Sequence, residues 1–108
     1  MTRGEIWTAS GGVYAGKPRP VIVLQSDIFS DTDSVTVLPL TTTDSGAPML
    51  REPITPNKDN GLTQQSWVMV DKVTTIHRQR LGQPVGHTNP EVMRCVRQKL
   101  MVFLGLDR

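Results

Sequence analysis

Ser34-Val35-Thr36-Val37-Leu38-Pro39-Leu40-Thr41 decides how this chain is read. Val35 and Val37 alternate with polar neighbours, and Leu38 and Leu40 carry the apolar character on to the threonine run Thr41, Thr42 and Thr43. A period of two built from β-branched residues marks a strand with a buried face, so the stretch is expected to be a central strand ending at the threonines. Moving towards the N-terminus, Pro20 to Gln25 is a continuous apolar run of the kind buried strands show. Glu5 to Ser10 reads as a first strand, with Ile6 and Trp7 as bulky β-formers. Between the second and central strands, Ser26 to Asp33 is polar and turn-rich, with Ile28 and Phe29 expected to tuck back onto the core.

Towards the C-terminus, Thr43 to Pro48 is rich in Gly, Ser, Asp and Pro and is expected to be a mobile loop. Met49 to Thr55 reads as a short edge strand, since Pro53 cannot donate to a ladder inside a sheet. A turn over Pro56 to Gly61 follows. Ser66 to Asp71 and Lys72 to Ile76 form a strand with a bend near Asp71, and Gln83 to His87 a last small one. The period then changes. Thr88-Asn89-Pro90-Glu91 combines a capping side chain, a proline for the first helical position and an acid for the first turn. Val92, Val96, Lys99/Leu100 and Phe103 recur at helical spacing, predicting an amphipathic helix with one face on the sheet. Gly105 ends it. Short strands with one terminal helix imply a strongly bent antiparallel sheet or a partly open barrel: mainly β, one domain over residues 1–108.

The 108 residues are 37% apolar and 20% charged, with nine glycines and eight prolines, which suits a folded domain of short strands and many turns. Nothing resembles a membrane span or a signal peptide. The single cysteine, Cys95, cannot form an internal disulfide, and the cytoplasm is the expected compartment. A net charge of +2 permits an anionic partner where charges cluster, as in Lys72, Arg78 and Arg80, or Arg94, Arg97 and Lys99; such groups are also ordinary solvated faces. His77, His87 and Cys95 share no metal-ligand spacing, so no metal and no cofactor is expected. Both histidines belong to the surface, and mid-helix Cys95 is a small packed apolar residue. There is no nucleophile elbow and no phosphate-binding glycine loop.

What remains is Lys17-Pro18-Arg19-Pro20. Proline fixes φ and forces its predecessor towards extended geometry, so Arg19 sits on a stiff segment at a strand entrance, after the glycine-punctuated loop Gly11 to Gly16. A permanently charged planar fork of donors suits a phosphate. The hydroxyl cluster Thr41 to Thr43 and Asp71 stand at other strand ends.

Arg3-Gly4-Glu5-Ile6-Trp7, Lys17-Pro18-Arg19-Pro20-Val21-Ile22-Val23-Leu24 and Val35-Thr36-Val37-Leu38-Pro39-Leu40-Thr41 closely resemble the MazF/PemK family of toxin endoribonucleases. Val68-Met69-Val70-Asp71-Lys72-Val73-Thr74-Thr75-Ile76, Arg80-Leu81-Gly82 and Phe103-Leu104-Gly105-Leu106 continue the resemblance in order, over nearly the whole chain. It implies an SH3-like barrel shared with gyrase-poisoning toxins, a homodimer, and cleavage of single-stranded RNA at short motifs. It further implies an antitoxin whose disordered acidic tail occupies the RNA groove. The family's catalytic arginine and threonine fall on Arg19 and Thr41, and Asp71 matches an acidic position used by some members. Tyr14, Lys17, Thr42, Thr43, Lys72 and Arg78 are the expected RNA-binding residues.

Chemically, attack of a ribose 2′-hydroxyl on the adjacent phosphorus needs no metal. It needs donors for the charge developing on the phosphoryl oxygens, which Arg19 and Thr41 can supply, and a group to manage the 2′-hydroxyl proton. Arginine accepts protons poorly, which leaves Asp71 or substrate positioning alone. Two departures from the family stand out. The first loop is shorter than in many members, offering Tyr14 for a base contact, and Met69 stands where some members place an arginine. The competing expectations are a non-enzymatic, gyrase-binding module on the same fold and a degenerate member that only titrates an antitoxin.

Overall fold

The structure, a computed structural model, describes residues 1–11 and 17–108. Among them seven strands form β1 (Glu5–Ala9), β2 (Arg19–Val23), β3 (Ser34–Thr41), β4 (Arg51–Ile54), β5 (Ser66–Met69), β6 (Thr74–His77) and β7 (Leu81–His87), before the helix α1 (Pro90–Phe103). Every pairing is antiparallel, and the order across the sheet is β4-β5-β3-β2-β1-β7, with β6 also on β3.

β3 organises the molecule, because both of its edges are used and one of them twice. β2 lies along one edge, with Val21, Ile22 and Val23 opposite Pro39, Leu38 and Val37. The other edge carries β6 against Ser34 to Val37 and β5 against Leu40 and Thr41. Between β5 and β6 the chain makes a single 3₁₀ turn, Val70–Lys72, which is the bend expected near Asp71. Pro39 stands in the interval where neither β5 nor β6 pairs with β3, a place where a strand proline without an N–H is tolerated.

Two apolar clusters follow from this bending. Ile6, Ile22, Leu38, Leu40, Ile54, Val68 and Val70 meet Val96 and Leu100 of α1, all buried. Burying each of the larger side chains stabilises the fold by about 1.5–3 kcal/mol. On the opposite face of β1 to β3, Ala9, Val21, Val23, Val35, Val37 and Ile76 form the second cluster, with Trp7 and Leu81 packed against it. The sheet does not close into a barrel by strand pairing: β4 and β7 end its path. Instead the turn before β5 backs onto β7, where the His87 N–H donates to the Asp59 carbonyl at 2.9 Å. The approach is tight enough that a Cβ on Gly86 would meet the Asp59 carbonyl oxygen at 2.4 Å. Asn60, 1% exposed, holds that turn: its amide donates to the Thr55 carbonyl (2.9 Å), and its oxygen accepts from the N–H groups of Asn57 (3.1 Å) and Leu62 (3.0 Å).

The helix begins as its sequence dictates. The Asn89 side chain accepts the Val92 N–H at 2.8 Å and Pro90 takes the first turn. Gly105, at φ +71°, ends it in a Schellman motif, with the Leu106 N–H on the Met101 carbonyl (2.8 Å) and the Gly105 N–H on that of Val102 (3.1 Å). Lys99 does not add to the apolar stripe; its ammonium reaches Glu52 of β4 at 2.8 Å. Phe103 is 45% exposed rather than packed on the sheet, because the Schellman turn begins just beyond it.

Ile28 and Phe29 also depart from expectation, being 82% and 56% exposed. Polar contacts fix their turn. The Ser26 hydroxyl accepts the Ile28 N–H of a one-turn 3₁₀ helix, Asp27–Phe29, and the Arg78 guanidinium holds the carbonyls of Ser30 and Thr32. Thus anchored, the turn carries both apolar side chains outward. No helix of the described residues is long and apolar enough to cross a membrane.

Candidate active site

Arg19 opens β2 opposite Ala9 of β1, as the rigid Pro18-Arg19-Pro20 frame leads one to expect. Paired positions of β2 and β3 run from Val23–Val37 to Val21–Pro39. Carried two residues further, the same register sets Arg19 across from Thr41, on one face of the sheet. Pro20 shares the parity of Leu24, whose N–H donates to the Thr36 carbonyl of β3, so the N–H it lacks is one that would face β3, and this end of the ladder is left without that donor. Arg19 is exposed and Thr41 half-buried. The row extends the face that bears the second apolar cluster, so charge and hydroxyl emerge where that cluster stops.

The Thr41 hydroxyl oxygen accepts the N–H of Thr43 at 3.1 Å. That bond occupies acceptor capacity and leaves the O–H proton free to donate outward. Thr42 and Thr43 follow on the surface, as does Lys17 on the approach to Arg19. None of the ion pairs among the described residues involves Arg19 or Lys17. Tyr14 lies outside the described residues.

Three expected site residues stand elsewhere. Asp71 is four residues past Trp67, the residue opposite Thr41, beyond the end of β5 and in the 3₁₀ turn Val70–Lys72. Its carboxylate is paired with Arg51 of β4, with side-chain exposures of 17% and 13%, and Lys72 lies 3.6 Å from its second oxygen. Burial pushes the Asp71 carboxyl up, but the Arg51 hydrogen bond and charge, with the Lys72 charge, outweigh it and leave the group below its ordinary value. A carboxylate so stabilised is a weak base. Lys72 itself remains largely exposed at 58%. Arg78 is spent on the turn carbonyls already described, its Nε donating to Thr32 at 2.9 Å. It staples the fold rather than facing a ligand.

One cation, named in the sequence as part of the Lys72, Arg78 and Arg80 cluster but not among the expected site residues, joins this end of the sheet. Leu81 pairs with Ala9 on the edge of β1 away from Arg19, and the Ser10 N–H donates to the Arg80 carbonyl at 3.0 Å. Arg80 thus flanks the same end of β1 as Arg19, its side chain beside Gly11. The Arg80-Leu81-Gly82 motif carried the signal, but only the pairing of β7 with β1 places it here. Among the described residues, no three His, Cys, Asp or Glu side chains gather to hold a metal ion.

The sequence and its bent antiparallel sheet have known counterparts over nearly all of the chain. Residues 2–104 fit the model of the PemK-like, MazF-like toxins of type II toxin–antitoxin systems. The chain belongs to this family. A MazF/PemK toxin of Mycolicibacterium smegmatis strain ATCC 700084, called a probable endoribonuclease MazF, is 48% identical to it over 107 residues, covering 98% of each chain. The endoribonuclease EndoA of Bacillus subtilis strain 168 is 30% identical over 113 residues, covering 98% of this chain and 96% of its own. Among solved structures, a mycobacterial endoribonuclease in complex with its cognate antitoxin superposes with a TM-score of 0.83 over 98% of this chain and 96% of its own, at 24% identity. At that identity the likeness concerns the fold, and it covers this MazF/PemK toxin from β1 to α1.

Proposed function

We propose that this toxin is an endoribonuclease that cuts single-stranded RNA by transesterification, with the scissile phosphate held between Arg19 and Thr41. The ribose 2′-oxygen gives its proton to solvent water and attacks the adjacent phosphorus as the bond to the 5′-oxygen breaks, and the departing 5′-oxygen takes a proton from water. The products are a 2′,3′-cyclic phosphate on one fragment and a 5′-hydroxyl on the other. Negative charge grows on the non-bridging oxygens during this step. The Arg19 guanidinium and the Thr41 O–H donate to those oxygens, and a preorganised donor of this kind is worth about 3–4 kcal/mol in the transition state. Arg19 stabilises charge and does not serve as the base, since a guanidinium does not release its proton in a protein. Because the nucleophile is the 2′-hydroxyl, DNA binds without being cut. The attack and departure are complete without a metal ion.

Lys17, Thr42, Thr43 and Arg80 border the same end of the sheet and extend the donor surface along the strand. Asp71 acts at one remove, fixing Arg51 and the 3₁₀ turn that lets one edge of β3 receive both β5 and β6. The observation that carries the reading is the β2–β3 register, which brings together two residues 22 positions apart in the chain. The relatives named endoribonuclease support it. The reading includes two partners: a second copy of the chain, and an antitoxin whose acidic segment competes with RNA for Arg19, Lys17 and Arg80. The type II description of the family and the antitoxin bound to the mycobacterial structure support the latter.

The test is incubation of purified protein with a long defined RNA in chelator-containing buffer, with mapping of the new ends. Discrete fragments with cyclic phosphate ends are expected, and Arg19→Ala, while staying folded, should form them about 10²–10³ times more slowly. Undiminished cutting by Arg19→Ala would remove the proposed site. Intact RNA with altered gyrase activity would replace the enzyme with the non-enzymatic module.

A further inference from the structure

The cross-strand row does not end at Thr41. Directly opposite Thr41 on β5 is Trp67, and opposite Trp67 on β4 is Pro53. Residues directly opposed in an antiparallel pair share a face, with Cβ atoms about 5 Å apart, so Arg19, Thr41 and Trp67 succeed one another across three neighbouring strands. Val68 and Ile54, which alternate with Trp67 and Pro53, point the other way into the cluster under α1. Trp67 therefore lies on the face away from the helix.

Its burial is unusual for so large an apolar side chain. Trp67 is half-buried and, among the described residues, joins neither apolar cluster; Trp7, by contrast, packs against the second one. The sheet thus holds an indole fixed by its strand, two strand spacings from the guanidinium and one from the hydroxyl that meets the phosphate. The phosphate-to-base distance within a nucleotide is of the same order as one such spacing.

Resting on the phosphate position proposed above, we infer that Trp67 is a stacking platform for the nucleobase adjoining the scissile phosphate. Single strands are held by a combination of cationic groups tracking the backbone and aromatic faces receiving bases. Arg19, Lys17 and Arg80 supply the first and Trp67 the second. A base stacked on Trp67 is splayed from its neighbour, which turns the intervening phosphate towards Arg19 and Thr41. The platform accepts any base, since every base has a π-face, and it rejects duplexes, whose bases are already stacked.

The experiment uses a single-stranded RNA of the mapped cleavage motif with a 2′-O-methyl group at the cut, or 2′-O-methyl oligouridine if no cut is found. Trp67→Ala is expected to weaken binding about 5- to 150-fold, the range seen when base-stacking aromatics are removed. Trp67→Phe should retain most of the affinity. An abasic site on one side of the cut should weaken the wild-type protein by a similar factor and leave Trp67→Ala unaffected. Thermal melting of each variant shows that it is folded. Equal binding by wild type and a folded Trp67→Ala overturns the inference, as does an abasic penalty of the same size in both proteins. A shift in oligomeric state without loss of RNA binding also overturns it and gives Trp67 to a contact between copies. Trp67-dependent binding by a protein that leaves RNA intact upholds the platform and sinks only the nuclease reading.

Discussion

Replacing Asp71 by alanine separates a structural carboxylate from a catalytic one. Two unit charges about 4 Å apart near a protein surface attract by about 4 kcal/mol before desolvation is subtracted. Removing one partner of a fully buried pair costs about 3–5 kcal/mol, because the other charge is left behind. The Asp71 and Arg51 side chains are 17% and 13% exposed, so water relieves part of that cost. Arg51 cannot escape all of it, since its Nε is already buried without a hydrogen-bond partner among the described residues. The expected loss is about 2–3 kcal/mol, a large share of the 5–15 kcal/mol typical of a domain. Urea denaturation measures this loss. RNA cleavage assayed well below the melting temperature should meanwhile stay within about tenfold of wild type, whereas removing a general base lowers the rate by about 10²–10⁴. Undiminished stability with cleavage reduced a hundredfold or more would refute this assignment and return Asp71 to the chemistry.

The same pair sets an acid limit. The folded-state pKa of Asp71 lies below the ordinary 3.8, so the stability it contributes is fully present above that value. It is lost as pH falls through the lower, folded-state pKa. The stability difference between wild type and Asp71→Asn should therefore be flat from about pH 5 to 8 and shrink below about pH 4; a difference that persists at the lowest pH contradicts the pairing.

Arg19→Ala and Thr41→Val should each lower kcat/KM for RNA by about 10²–10³ with little change in melting temperature, and Arg19→Lys should restore only part, because an ammonium lacks the planar fork. A melting-temperature drop that accounts for the lost activity would count against both roles. Asn60→Ala strands the Thr55 carbonyl and the Asn57 and Leu62 N–H groups, costing about 3 kcal/mol in chemical denaturation. Asn60→Asp keeps the acceptor but buries a carboxylate whose second oxygen faces the Thr55 carbonyl, so it should cost at least as much. Gly86→Ala drives a Cβ into the Asp59 carbonyl and should destabilise by more than about 3 kcal/mol; a near-neutral effect would mean that the turn over 57–61 is not seated on β7.

What was legible in the sequence was local. The alternation of Ser34 to Thr41 predicts β3 residue for residue, and Asn89-Pro90-Glu91 predicts where α1 starts, because strand period and helix capping are written within a few residues of each other. The proline of Met49–Thr55 predicts an edge, and β4 is one. What escaped was set by partners far along the chain. Arg78 reads as a surface cation until Ser30 and Thr32 are brought to it across 46 or more positions. Arg51, unremarkable in sequence, meets Asp71 only because β4 pairs with β5. Ile28 and Phe29 resemble core residues by composition, yet a capped turn and that same arginine decide their direction.

The arrangement also explains why a site can form at this place on so small a sheet. A strand whose edges are both fully paired has little room to open at one end, whereas β3 is relieved twice. Its second edge passes from β6 to β5 through the Val70–Lys72 turn, and its ladder with β2 runs out where Pro20 removes a donor. The apolar face beneath Val21, Val23, Val35 and Val37 keeps the strands rigid up to that point. Beyond it, the same face that buried valines presents a guanidinium, a hydroxyl and an indole on successive strands. On the proposed reading, specificity for a single strand needs no separate recognition domain: the spacing between strands sets the distance from the proposed phosphate donors to the proposed base platform, and the fold maintains that distance through the backbone itself.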